Sequence, residues 1–196
     1  MTPDRAGLRR ELRERRRKIP PSDRIAAADA LANRLLSLAF APTSGYAAGY
    51  WAMDGEIALH SWQLRLPRGV AYCLPVLHDD QQLRFAPWRP GDALVTNRFG
   101  IPEPEVEAAC ALAPEAMSLV VMPLVGFDDS GRRLGMGGGW YDRSFAFRSA
   151  ALPPPWLVGV GFDAQRLDEL DSEVWDVMPD ALCTETRTLL ADTAHE

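Results

Sequence analysis

The stretch from Ser118 to Arg143 reads S-L-V-V-M-P-L-V-G-F-D-D-S-G-R-R-L-G-M-G-G-G-W-Y-D-R. Its first eight residues, Ser118–Val125, form a continuous valine-rich apolar run, which suits a strand buried on both faces. Asp128-Asp129-Ser130-Gly131 is a turn sequence. Arg132 and Arg133 follow, then Gly135, Gly137, Gly138 and Gly139 open a short helix expected from Trp140 to Arg148. Glycines let main-chain N–H groups crowd an anion. A helix start adds unpaired donors, and arginines add forked donors that match phosphate oxygens. Asp142 could hold a Mg²⁺ that bridges those oxygens. The spacing fits neither G-x-x-x-x-G-K-[ST] nor G-x-G-x-x-G. The bland alternative is a flexible turn that lets a helix pack close to a sheet. The arginines before the loop and Trp140-Tyr141-Asp142-Arg143 after it favour a phosphate site.

On the N-terminal side, Asp4 to Lys18 reads as a helix with Leu8 and Leu12 one turn apart. Pro20-Pro21 stops it. Ser22 could cap a second helix striped by Ile25, Ala28, Ala32 and Leu35. Ser44–Ala52 reads as a strand, Asp54-Gly55 as a turn and Ile57–Leu66 as a helix. Val70–Val76 and Leu83–Trp88 read as strands, and Arg89–Pro104 as an ordered loop. On the C-terminal side, Pro153–Pro155 is a rigid connector, Trp156–Phe162 a buried strand and Ala181–Thr184 a small edge strand. Strands alternating with helices predict a single α/β domain over residues 1–196, with residues 1–40 as a helical segment packed on it. Ligands of such sheets sit beyond the carboxyl ends of the strands, so the loops after Val125 and Phe162 are where chemistry is expected.

The 196 residues carry a net charge of −6, which argues against a nucleic-acid coat. Basic charge crowds the first segment: Arg9, Arg10, Arg13, Arg15, Arg16, Arg17 and Lys18, the only lysine. Phosphate contacts by cationic side chains therefore fall to arginine. Cys73, Cys110 and Cys183 are far apart and in no C-x-x-C pair, so idle thiols in a reducing compartment are expected. No apolar run is long enough to span a membrane. The reading is a cytoplasmic protein.

The segment F-D-x-x-G-R-R-L-G-M-G-G-G-W-Y-D-R closely resembles the signature of the 5-formyltetrahydrofolate cyclo-ligases, also called methenyltetrahydrofolate synthetases. The resemblance extends over nearly the whole chain, through G-L-R-R-E-L-R, Y-W-A-M-D-G-E-I, L-P-V-L, N-R-F-G-I-P-E-P, G-F-D-A-Q, W-D and T-E. It implies a three-layer α/β/α fold, with a mostly parallel sheet, related to sugar-phosphate isomerases and CoA transferases. It also implies ATP and a folate as small-molecule substrates, Mg²⁺ as cofactor, and a monomer that uses neither membrane nor nucleic acid. By resemblance, Arg5 and Arg9 contact ATP phosphates, with Arg5 standing where the family often has lysine. Arg133, Leu134, Gly135, Met136, Gly137, Gly138, Gly139, Trp140 and Tyr141 match the ATP loop. Trp51 and Glu56 match the folate side, which Met136 to Trp140 overlap. Asp142 and Asp176 match the metal ligands, and Arg133, Tyr141 and Asp142 are the expected catalytic residues. Trp140 stands where many relatives carry tyrosine. The Asn97–Pro104 loop with Phe99 could wall a nucleotide base. For Arg13, Arg15 and Arg16 a solvated helix face is expected, and Asp180 could be a purely structural carboxylate. Two rivals remain: a sugar-phosphate or CoA enzyme that uses no ATP, and a diverged, non-catalytic nucleotide- or RNA-binding member of the fold.

Overall fold

The computed structural model describes residues 4–191. Helix α1, Arg5–Arg17, is capped by the Asp4 carboxylate, which accepts the N–H groups of Ala6 and Gly7. Helix α2 spans Pro21–Leu36. Ser22 is not its cap: Pro20 precedes the helix, Pro21 opens it, and the Ser22 hydroxyl bonds Asp23 instead. Proline suits a first helical position because its missing N–H would have no intrahelical partner there. The buried face of α2 is Ala27, Ala28, Leu31, Ala32 and Leu35. Ile25 is 63% exposed; it lies about 120° round the helix from Leu31 at 3.6 residues per turn.

The remaining elements follow in order. Strand β1 is Gly45–Ala48, helix α3 is His60–Arg65, β2 is Val70–Leu77 and β3 is Leu83–Pro87. Strands β4, Leu94–Thr96, and β5, Pro102–Pro104, form a small hairpin, and β6 is Leu119–Pro123. Then come β7 at Gly126–Phe127, β8 at Arg133–Leu134, helix α4 at Trp140–Ser144, β9 at Trp156–Val160, β10 at Ala181–Cys183 and β11 at Thr188–Leu190. The main sheet has the order β11-β10-β9-β6-β1-β2-β3. Its five central strands, β10-β9-β6-β1-β2, run parallel, and both outer pairs are antiparallel.

Alternation along the strands divides the core by face. Ala47, Leu119, Val121, Val158 and Val160 pack with Leu31 and Leu35 of α2 and Trp62 of α3. Ala48, Val120, Met122 and Leu157 pack on the other side with Met117, and with Phe145 just beyond α4. The result is the expected layered α/β/α arrangement. Cys73 and Cys183 are buried in it, and burial pushes the Cys73 thiol up to about 12 and the Cys183 thiol up to about 11.

Several expected elements differ. Ile57–Leu66 is helical only over His60–Arg65; Ile57 and Leu59 precede the helix as buried side chains. The stretch Arg89–Pro104 contains the β4–β5 hairpin, whose three-residue strands are too short to show periodicity. Its turn is organised by the Asn97 side chain, which accepts the N–H groups of Phe99 and Ile101. The helix expected over Trp140–Arg148 is α4 followed by a 3-10 turn at Ala146–Ser149. Strand β10 is not at the edge, because β11 pairs outside it.

Candidate active site

The C-terminal ends of β1, β6 and β9 converge at one end of the sheet, and α1 lies across them. Leu12 is fully buried there against Val125, Leu134 and Leu170, with Leu8 beside it. The buried Gln165 of G-F-D-A-Q ties this end of the sheet together, its Nε2 donating to the carbonyls of Leu124 and Val125 at 2.7 and 2.9 Å.

The turn after β7 is fixed by Asp128, 1% exposed, whose carboxylate accepts the N–H groups of Ser130, Arg132 and Leu170. The chain then returns as β8, opposite β7, with Phe127 facing Arg133 in the ladder. This hairpin is not legible in the sequence, yet it buries and aims Arg133. The Arg133 guanidinium donates from Nε to the Val177 carbonyl at 2.9 Å and from Nη2 to Asp142 Oδ1. Asp142 Oδ1 also accepts the Val177 N–H at 3.1 Å. Residues 133, 142 and 177, distant in sequence, thus form one unit.

Between Arg133 and Asp142 the loop turns on Gly137, at φ 95°, and Gly139, at φ 65°. Side-chain residues rarely adopt such angles. Arginines hold its carbonyls: Arg9 Nε donates to Gly135 at 2.8 Å and Arg143 Nη2 to Gly138 at 2.8 Å. The N–H groups of residues 135–139 donate to no acceptor among the described residues. Carbonyls turned toward cations and N–H groups left open is a polarity suited to an anion. Helix α4 has only five residues, so the loop itself, rather than a helix dipole, supplies the donors.

Helix α1 brings its arginines to this loop. Arg5 pairs with Glu173 at 3.4 Å and Asp176 at 3.5 Å. Partial burial, and then the neighbouring Arg5 charge, lower the Arg9 guanidinium from its usual value, while Asp176 offsets them. A cleft of about 330 Å³ opens between α1 and the loop, lined by Ala6, Arg9, Arg10, Arg13, Arg17 and Met136.

The loop after β1 also meets α1, through Asp54. Trp51 is half-buried and meets Trp88 edge-on at 5.7 Å. Glu56 accepts the Met53 N–H at 3.0 Å. Burial, the dominant influence, raises its carboxyl above the usual range, and Arg16 opposes the rise. Burial first, and then the Glu56 charge, push up the hydroxyls of Tyr50 and Tyr141. Arg16 corrects an expectation: it is 1% exposed, not on a solvated face. It and Arg13 and Arg17 converge on Asp54. Arg15 does point outward, paired with Glu11.

Residues 1–185 match the model of the 5-formyltetrahydrofolate cyclo-ligase family. The chain belongs to this family. It is 32% identical over 179 residues to the 5-formyltetrahydrofolate cyclo-ligase of Escherichia coli K12, covering 90% of this chain and 97% of that one. It is 32% identical over 181 residues to the enzyme of the same name from Haemophilus influenzae, covering 90% and 95%. The solved 5,10-methenyltetrahydrofolate synthetase of Aquifex aeolicus superposes with a TM-score of 0.80 at 25% identity, covering 98% of this chain and 95% of that one.

Within the cyclo-ligase signature, Trp140 lies under two guanidinium groups, Arg98 at 5.3 Å and Arg143 at 5.4 Å, with Phe99 edge-on at 6.0 Å. The β4–β5 hairpin therefore reaches the Gly loop. In the sequence, Arg98 and Arg143 stand out only as members of longer motifs. Asp180 is structural: it accepts the Leu157 N–H at 2.7 Å and pairs with Arg148 at 2.8 Å.

The divalent metal that the sequence resemblance implies can be tested against the donors present. Asp142 commits Oδ1 to Arg133 and Val177, and Asp176 commits Oδ2 to the Glu173 N–H and Arg5. Each retains one carboxylate oxygen. Among the described residues no group of three or more His, Cys, Asp or Glu could form a cage. One or two carboxylates plus substrate phosphates is the usual way of holding Mg²⁺, so this donor set fits a metal that arrives with a nucleotide. No helix is long and apolar enough to cross a membrane among the described residues.

Proposed function

We propose that the protein closes 5-formyltetrahydrofolate to 5,10-methenyltetrahydrofolate, the reaction of its family, and that it uses ATP and Mg²⁺ to do so. The observation that carries the ATP half is the loop 135–139, whose free N–H groups lie between the Arg133–Asp142 pair and Arg9.

A formamide carbon is a poor electrophile because nitrogen donates into the carbonyl. In the proposed reaction the N5-formyl oxygen attacks the γ-phosphorus of ATP and ADP leaves. N10 of the folate then attacks the activated carbon. Phosphate departs carrying the former formyl oxygen, and N10 loses its proton. The amide oxygen carries no proton, so the first step needs no general base. The protein's work is alignment and charge neutralisation. Arg9, Arg133 and the loop N–H groups hold the polyphosphate. Arg5, paired here with Glu173 and Asp176, would contact the polyphosphate beside them. Mg²⁺ bound to Asp142 and Asp176 would neutralise phosphate charge. Glu56 accepts hydrogen bonds from the pterin N–H edge, and Trp51 offers an aromatic face to the pterin. Tyr141, half-buried and stacked on Phe145, would lie between the two substrates.

The RNA-binding alternative draws on the α1 arginines, but Arg13, Arg16 and Arg17 are turned to Asp54. The decisive assay uses purified protein, 5-formyltetrahydrofolate and Mg²⁺, with and without ATP. ATP-dependent growth of the near-ultraviolet methenyl-folate band, with one phosphate released per turnover, is expected. Absence of both would overturn the proposal.

A further inference from the structure

The reaction as described does not use the ion cluster around Asp54. Asp54 takes a left-handed φ of 51°, uncommon for a residue with a side chain. Its carboxylate accepts Arg13 Nε at 2.6 Å and Arg16 Nη2 at 3.2 Å, and it also pairs with Arg17. Its carbonyl accepts Arg16 Nε at 3.1 Å. Arg24 fastens the same corner by donating to the carbonyls of Arg16 and Arg17. Arg16 is thereby gripped on one side of its guanidinium.

The other side is not gripped. Arg16 Nη1 is buried and has no hydrogen-bond partner, and it stands 3.6 Å from Glu56 Oε1. Leaving a buried charged donor unpaired is unfavourable, and such groups tend to mark function. Asp54 could have been satisfied by Arg13 and Arg17 alone, both partly exposed at 35% and 52% of their side chains. What Arg16 adds is a fixed cation behind the one carboxylate that faces the pterin in the proposed reaction.

We propose that Arg16, clamped by the Asp54 turn, is a positioning residue that orients the Glu56 carboxylate toward the folate. The inference rests on the reading of Glu56 as a folate contact. Arg16 touches Glu56 and not the substrate, so its influence runs entirely through that carboxylate. A second consequence concerns charge. Burial disfavours the ionised Glu56, and the cation behind it opposes this. The charged and titratable groups around Glu56 are Arg16 and Arg13 from α1, Asp54 from the turn, Tyr50 beyond β1, and Tyr141 from α4.

The test is a mutant cycle on the full chain, with steady-state kinetics in 5-formyltetrahydrofolate at saturating ATP and Mg²⁺. E56Q is expected to raise the folate KM about tenfold or more, the worth of a charged hydrogen bond. R16M keeps the buried volume and should raise the folate KM about tenfold, with the ATP KM within about twofold of wild type. R16K should recover part of the loss. The double variant R16M/E56Q should be no worse than E56Q. Acidification should cut folate kcat/KM at a higher pH in R16M than in wild type, because Glu56 protonates sooner without its cation. E56Q should lack that limb. If E56Q raises the folate KM but R16M does not, or if the two losses multiply, Arg16 is not a positioning residue. An unchanged folate KM in E56Q instead removes the reading of Glu56 and leaves the ATP site untouched. Should R16M fail to fold, R16K completes the cycle: a raised folate KM alone, and no further rise on top of E56Q, is then required.

Discussion

Two buried arginines each face a carboxylate of the proposed site, Arg133 on its nucleotide wall and Arg16 on its folate wall, and they are used differently. Arg133 is engaged on both edges, by Val177 and Asp142. Its partner lies nine positions away, across one glycine loop, so the pair is assembled by neighbouring chain. Arg16 reaches Glu56 across 40 positions and only because α1 folds back over the sheet. Its guanidinium is held by Asp54, leaving Nη1 free toward Glu56. On the proposed nucleotide wall the carboxylate is already bonded to its arginine and would be shared with a metal. On the proposed folate wall Glu56 accepts one backbone N–H through Oε2, and Arg16 Nη1 stands 3.6 Å from its Oε1. The first pair is suited to charge neutralisation, the second to aiming an acceptor.

The largest effect expected from breaking this comparison is on the nucleotide wall. Asp142→Asn removes a charge from Arg133 and a ligand from the proposed metal. Turnover should fall about 10²–10³-fold, as when one preorganised charge-stabilising group is lost. The asparagine oxygen can still accept the Val177 N–H, so the thermal midpoint should move little. Folate binding, measured by equilibrium titration without ATP, should persist. Near-normal turnover would remove Asp142 from the chemistry. Loss of folate binding would show that the two walls are not separable.

The next effect falls on both walls together. Leu12 lies fully buried on the inner face of α1, between the Arg9 and Arg16 positions. Leu12→Ala should destabilise the protein by about 2–5 kcal/mol, seen as a lower urea midpoint. Because α1 carries both Arg9 and Arg16, KM for ATP and for folate should rise together. A change in one KM alone would mean that α1 is anchored to that wall by its ion pairs without the help of this leucine. A narrower lesion is Gly137→Ala. Gly137 has φ 95°, and a Cβ there would lie 3.3 Å from the Arg9 guanidinium carbon. Strain of about 1–2 kcal/mol should appear mainly as a raised KM for ATP, with folate KM unchanged.

The same contrast explains what the sequence discloses. The nucleotide wall is legible because its parts are nearly contiguous: strand, Asp128 turn, arginine, glycines, Asp142. The parallel core is legible from apolar runs such as Ser118–Val125. The β7–β8 hairpin is not, since two-residue strands leave no period. Arg16 is mistaken for a surface residue because helical periodicity weighs charge as solvent-facing. Nothing local says that Asp54, 38 residues on, folds under the helix to meet it. Asp176 can be picked out from neighbouring acidic residues only through family resemblance, and its approach to Asp142 depends on the tertiary bond from Val177.

The smallest expected effect separates the loop's chemistry from its cover. Trp140 is stacked by Arg98 and Arg143 and touched by Phe99. Arg143 is also tied to the carbonyls of Gly138 and Gln81, so its place does not depend on the indole. The Arg98 guanidinium packs on the rings of Trp140 and Phe99. Trp140→Tyr keeps an aromatic face but weakens the cation–π contact, by about 0.5–1 kcal/mol at an exposed site. That corresponds to roughly a two- to fivefold change at most in kcat/KM. The loss should be matched by Arg98→Ala, and the double variant should fall no further, if the contact with Arg98 is what the tryptophan supplies. A larger drop in Trp140→Tyr, with none in Arg98→Ala, would instead assign the indole a direct contact with substrate.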